Sequence, residues 1–155
     1  MLESGGLHET RRPLMTFRVA DEWIAVAVEQ VETVTLAPRL WPVPRASADH
    51  RGLFDVNGAL VPVLSLGLHP DQTPTPEVET LVAILQVRGE SIGLEIDQPG
   101  QVFENYSLGE DETPPEILAP LSPQRGSSRE SRFWLVDADQ LWRRKTTPSS
   151  SGDQQ

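Results

Sequence analysis

Residues 51–66 read R-G-L-F-D-V-N-G-A-L-V-P-V-L-S-L, two apolar-rich runs on either side of Asn57-Gly58. Asn-Gly is the strongest short-range hairpin signal, because both residues tolerate the positive φ that a two-residue turn requires. Residues 51–56 and 59–66 should therefore pair as antiparallel strands. Pro62 interrupts the second run and has no N–H to give a ladder. Its strand is expected at a sheet edge or on a bulge.

Outward from this hairpin the apolar residues keep a period close to two rather than 3.6. Residues 14–20 and 23–28 flank Asp21-Glu22, and residues 81–87 and 91–96 flank Arg88-Gly89-Glu90, which predicts two more hairpins. Residues 31–36 alternate with one slip in phase, and residues 101–104 and 133–136 add two short strands. Only residues 137–144 look helical, with Asp137 or Asp139 as the cap and Leu141 and Trp142 on the apolar side. About nine strands with so little helix indicate an all-β barrel or sandwich. Two barrels of about five strands, joined near residues 69–80 where Pro70, Pro74 and Pro76 fall, fit the spacing.

The chain has 155 residues, enough for one ordinary domain that buries roughly 68–70% of its unfolded surface without a metal or disulfide. Hydrophobic residues are 37% and aromatics 6%, which points to a modest core carrying polar tails. The tails are residues 1–13 and 145–155, and the domain between them is 14–144. There is no cysteine, so disulfide scaffolds, thiol catalysis and cysteine-ligated metals are excluded. Thirteen basic against twenty-three acidic residues give a net charge of −10, which repels nucleic acid and anionic membrane surfaces. Residues 89–124 hold eight acids and no base, and read as a solvated acidic face. Residues 1–13 contain no apolar run for a signal peptide. The longest uncharged apolar stretch, 58–68, is too short to span a bilayer. A soluble, cytoplasmic protein is expected.

No catalytic pattern stands out. His8, His50 and His69 lack the spacing of a metal site, and no G-x-S-x-G elbow is present. Asp55, Glu95 and Asp97 are the best carboxylates for paired acid–base work, yet acids on an exposed strand face normally serve solvation. Neither a metal nor another cofactor is expected. Arg39, Arg45 and Arg51 form a basic strip around Trp41, with Pro38, Pro42 and Pro44 inside it. The strip either offsets nearby acids or forms a protein-binding patch, since tryptophan and arginine are enriched at interface hot spots.

The stretch 51–66 resembles the central signature of CheW-like domains: a glycine before a strand, a glycine-bearing hairpin, and an apolar run with V-P. Residues 17–34 (F-R-V-A-D-E-W-I-A-V-A-V-E-Q-V-E-T-V) look like the family's opening hairpin and following turn. Residues 39–44 occupy the place of its proline-bearing loop. Residues 81–103 resemble its second-half hairpin, with Gly93, Asp97 and Val102 at matching positions, and residues 133–141 resemble its ending. The resemblance covers roughly residues 14–143. It implies two SH3-like five-stranded barrels with a groove between them and a short C-terminal helix. It also implies a non-enzymatic adaptor that links the regulatory domain of a CheA-type histidine kinase to the cytoplasmic tip of a chemoreceptor. The partner-binding residues it implies are Val31, Arg51, Gly52, Val56, Asn57 and Gly58, with Gly93 and Val102 near the groove. Each has a plain structural reading too: the glycines as turn or packing residues, the valines as core, Asn57 as a turn residue.

The departures are informative. The family's N-L-R-G turn reads D-V-N-G here, so Asn57 replaces its arginine, and its common glutamate falls at Thr33. Losing both is consistent with removal of a charge pair. Deleting one partner of a desolvated pair would cost about 3–5 kcal/mol, whereas deleting both can be near neutral. If that arginine normally meets a receptor, receptor binding should weaken more than kinase binding. An alternative is a regulatory module that engages only one partner and caps or competes within the array. A third reading, from another class, is an acidic β-barrel enzyme or small-ligand binder using Asp55, Glu95 or Asp97.

Overall fold

Three pairs of residues with positive φ turn the chain back on itself: Ala20 and Asp21 (51° and 69°), Asn57 and Gly58 (52° and 90°), and Arg88 and Gly89 (57° and 77°). Positive φ at both central positions is the twist that matches flanking antiparallel strands. In this computed structural model the turns join β1 (Leu14–Val19) to β2 (Glu22–Ala27), β4 (His50–Val56) to β5 (Ala59–Leu64), and β6 (Thr80–Val87) to β7 (Glu90–Glu95). The structure describes residues 12–37, 40–41, 50–66, 80–109, 112–129 and 131–146, with backbone alone for His50, Arg51, Lys145 and Thr146. The first turn falls one residue earlier than Asp21-Glu22, and the third needs two residues rather than three.

β3 (Val31–Ala37) lies across β6, and its register shifts between Val31 and Thr33. That bulge is the slip in phase visible in the sequence. The chain continues through β8 (Gln98–Phe103), β9 (Ser107–Leu108), β10 (Gln124–Ser128) and β11 (Ser131–Leu135) to the helix α1 (Ala138–Thr146). Asp137 accepts the Asp139 N–H at 3.0 Å, which settles the helix cap on the first of the two candidate aspartates.

The strands form a six-stranded sheet in the order β8-β1-β2-β11-β10-β9 and a five-stranded sheet in the order β3-β6-β7-β5-β4. The expected all-β class with one short helix is the observed one. The expected division near residues 69–80 is corrected. Those residues connect β5 to β6, and both strands belong to the five-stranded sheet. The crossings between sheets fall instead after β2 and after β7. The six-stranded sheet closes only when β11 pairs in parallel with β2, Trp134 opposite Ile24 and Leu135 opposite Ala25.

For Pro62 the edge alternative is corrected, because β5 is an interior strand of its sheet, while a bulge does lie beside it, in β4 between His50 and Gly52. Leu53, opposite Pro62, exchanges both of its backbone bonds with Trp41 on its other side (2.9 and 2.8 Å). The Leu53–Pro62 pair is therefore a non-hydrogen-bonded one, and the proline nitrogen faces away from β4. On that side the β7 ladder begins only at Val63. By alternation the first N–H aimed at β7 beyond the proline is that of Leu64, so no recorded pair needs a donor from Pro62.

Three apolar clusters hold the layers. The largest joins Phe17, Ile24, Val26 and Trp134 of one sheet to Leu64, Leu85, Ile92 and Leu94 of the other, with Leu141 of α1 packed among them. A second lies within the five-stranded sheet (Val61, Val63, Val82, Ile84), and a third within the six-stranded one (Leu14, Ala25, Tyr106, Phe133).

Candidate partner-binding surface

The β4–β5 hairpin carries most of the sequence-predicted residues, and local geometry explains several of them. Asp55 accepts the Gly58 N–H at 2.9 Å and locks the turn. Asn57 and Gly58 project into solvent from it. Gly52 closes the bulge that separates it from His50 in β4, with φ of 154°. A Cβ there would lie 2.9 Å from the Trp41 carbonyl oxygen and 3.0 Å from the Leu40 Cβ. The glycine is what lets residues 40–41 lie against β4. Val56 is half-buried against the cluster inside the five-stranded sheet. Arg51 belongs to β4 through its backbone, and its side chain lies outside the described residues.

The remaining predicted residues lie elsewhere. Val31 begins β3, at the opposite edge of the same sheet, half-buried against the core between the sheets. Gly93 is buried in β7, where a Cβ would stand 2.8 Å from Val82 Cγ1 and 3.1 Å from Val63 Cγ2. Its role is close packing. Val102 lies on β8 in the other sheet and is 53% exposed. The eight residues are thus one hairpin group with Val31, Gly93 and Val102 apart from it.

Thr33 and Asn57 are both exposed. A Glu–Arg pair at these positions would be a solvated one, so the desolvation penalty considered for its loss does not apply.

The sequence reading missed an apolar row on the outer face of this hairpin. Trp41 stands opposite Leu53, and Leu53 opposite Pro62. Directly opposed residues share a face, and Leu60, two positions before Pro62, joins them. Trp41 is 50% and Leu60 61% exposed, whereas Val61 and Val63 point inward and are buried. The signal was present: in a strand where every residue is apolar, half must face outward. Of the arginine strip, Arg39 and Arg45 lie outside the described residues.

Asp55 and Asp97 serve backbone groups, Asp97 accepting the Ala20 N–H at 3.1 Å. Glu95 is half-buried near the end of β7. His8 and His69 lie outside the described residues. Among the described residues no group of three or more His, Asp or Glu is placed to hold a metal, and no helix is long and apolar enough to cross a membrane. Two exposed acids of the acidic stretch are held by partners. Glu90 accepts the Trp142 indole N–H at 3.0 Å, and Glu112 takes Arg132 at 2.9 Å.

Tight hairpins and an outward apolar row are equipment of β-sheet protein-recognition modules. The family model of the CheW-like domain matches residues 13–116, more than half of the chain, and the chain belongs to that family. It is 23% identical over 128 residues to a Rhizobium etli protein described as a probable chemotaxis protein CheW, covering 82% of this chain and 77% of that one. Its fold is similar to the crystal structure of the scaffolding protein TtCheW from Thermoanaerobacter tengcongensis. That match has a TM-score of 0.64 at 16% identity and covers 81% of this chain and 88% of the other.

Proposed function

We propose that this protein is a non-catalytic, cytoplasmic adaptor of a bacterial chemosensory array, joining a CheA-type histidine kinase to chemoreceptor tips. Family membership supports the class of role, and the outward row Trp41-Leu53-Pro62-Leu60, exposed at Trp41 and Leu60, is the observation that carries the kinase contact. Apolar and backbone contacts of this kind do not need the arginine that Asn57 replaces. Val31, Arg51, Gly52, Val56, Asn57, Gly58, Gly93 and Val102 are the residues assigned to partner binding. Val56, Asn57 and Gly58 are the hairpin members open to contact, and Gly52 and Gly93 support the shape of the surface.

The replacement at Asn57 favours a second reading, in which the protein binds the kinase alone and caps or competes within the array. Titration of the purified chain against a CheA-type regulatory domain and a receptor-tip fragment separates the two. Micromolar binding to both fits the linking adaptor, and binding to the kinase alone fits the capping module. Binding to neither sinks both. Trp41→Ala and Leu60→Glu should each weaken the kinase complex by roughly tenfold or more while leaving the melting temperature near that of the parent, the loss expected of an interface anchor.

A further inference from the structure

β8 ends the six-stranded sheet, and residues 98–102 are all exposed. On its inner side Gln101 gives its N–H to the Thr16 hydroxyl at 2.9 Å, and its C=O accepts from the same hydroxyl at 3.2 Å. This hydroxyl fills the gap where the β1–β8 register shifts between Met15 and Phe17. Pro99 has no N–H, so its pair with Phe17 is a non-hydrogen-bonded one and the Gly100 N–H beside it turns towards β1. Past the register shift the groups alternate again, and those of Val102 turn to the open side. Pro99 has no donor and blunts the first half of the edge. The open stretch is therefore centred on Val102.

That stretch borders a cavity of about 460 Å³, whose far wall is Ser128 and Arg129 at the end of β10. A second cavity of about 290 Å³ shares Gln101 and Phe103 with it and is lined by Trp23 and Phe133. Phe103 and Phe133 stack at 5.8 Å and give this cavity an aromatic wall. Arg129 is exposed and forms no ion pair among the described residues, whereas the neighbouring Arg132 is held by Glu112. Glu104, on the β8 wall of the first cavity, disfavours a run of acids in it.

We propose that β8 accepts an extended peptide segment of a partner protein as an added strand. Val102 supplies the backbone donor and acceptor, one apolar side chain of the peptide rests against Trp23 and Phe103, and one acidic side chain meets Arg129. This goes beyond the adaptor reading, because it holds whichever partners bind the hairpin surface, and the titration above neither supports nor removes it.

The test is to pan a displayed library of random heptapeptides against the full chain. An enriched peptide is then synthesised and titrated into ¹⁵N-labelled protein. Enriched peptides should carry an acid beside an apolar residue, shift the Val102 amide, and slow its hydrogen exchange. Arg129→Gln should weaken such a peptide by roughly tenfold, the size of a lost charge-assisted bond, and leave its Asn-for-acid counterpart unaffected. Val102→Pro, which removes an outward donor, should abolish binding while the protein still melts cooperatively. No enrichment, amide shifts mapping away from β8, or equal affinity for Arg129→Gln and its parent would overturn the proposal.

Discussion

At the scale of single residues, glycines that look alike in the sequence do different work. Gly58 holds φ of 90° with nothing within 4 Å of a built Cβ, so only backbone strain opposes a side chain there. Gly58→Ala should cost about 1 kcal/mol, the usual penalty of a left-handed alanine. Gly52→Ala adds a collision with the Trp41 carbonyl and should cost a further ~1–3 kcal/mol by overpacking. Urea titrations of the two variants should show the larger midpoint drop for Gly52→Ala, and equal drops would refute the close-approach account. Thr33 and Asn57 pose a separate question. Restoring charges with Thr33→Glu and Asn57→Arg should show a coupling below about 1 kcal/mol in a double-mutant cycle, because both sites are solvated. Arginine tolerates the required backbone, as Arg88 and Arg129 already hold φ of 57° and 54°. A coupling of several kcal/mol would mean that these positions are desolvated together after all.

At the scale of elements, legibility followed locality. Asn57-Gly58 and Arg88-Gly89 announce their hairpins because the turn chemistry lies in adjacent residues. β9 and β10 were unreadable, since Q-R-G-S-S carries no apolar alternation. Its buried positions are Gly126 and Ser128, small because Phe133 lies over Gly126. The helix α1 was legible in outline, but its anchoring was not, because the partners lie some fifty residues apart. Arg88, at the tip of the β6–β7 hairpin, pairs with Asp139 and lies 4.6 Å from the centre of the Trp142 ring. The hydrogen bond from Arg88, then that from Arg143, hold the Asp139 carboxyl at about 2, below its ordinary 3.8. A carboxyl lowered by folding contributes stability above its unfolded value, and that contribution fades as pH falls from about 4 towards 2. Asp139→Asn should therefore melt below the parent at pH 5, with the gap closing by pH 2. A gap constant across that range would show that the pair does not anchor the helix. Comparing variants cancels the other carboxylates that titrate in the same window.

At the scale of the whole molecule, the sequence suggested two consecutive barrels, and the chain instead interleaves them. Local period and turn chemistry could not reveal this, because the parallel β2–β11 pair joins residues 24–25 to 134–135. The candidate surface was partly legible for the same reason: the hairpin motif is local, whereas the exposure of Trp41 and Leu60 depends on which strand faces pack elsewhere. Interleaving also has an energetic consequence. The largest cluster takes side chains from both sheets and from α1, so neither sheet can open without exposing Phe17, Leu64, Leu85 and Leu141 to water. Ile84→Ala weakens the cluster inside the five-stranded sheet, and Leu14→Ala the one inside the six-stranded sheet. Each should cost about 2–5 kcal/mol by transfer and cavity terms. Because the shared core couples the sheets, both variants should shift one common calorimetric transition whose van't Hoff and calorimetric enthalpies agree. If the sheets were independent, each variant would split the endotherm, with one half melting early and the other unmoved. That outcome would make the two sheets separate folding units, and a partner bound to one could then release the other.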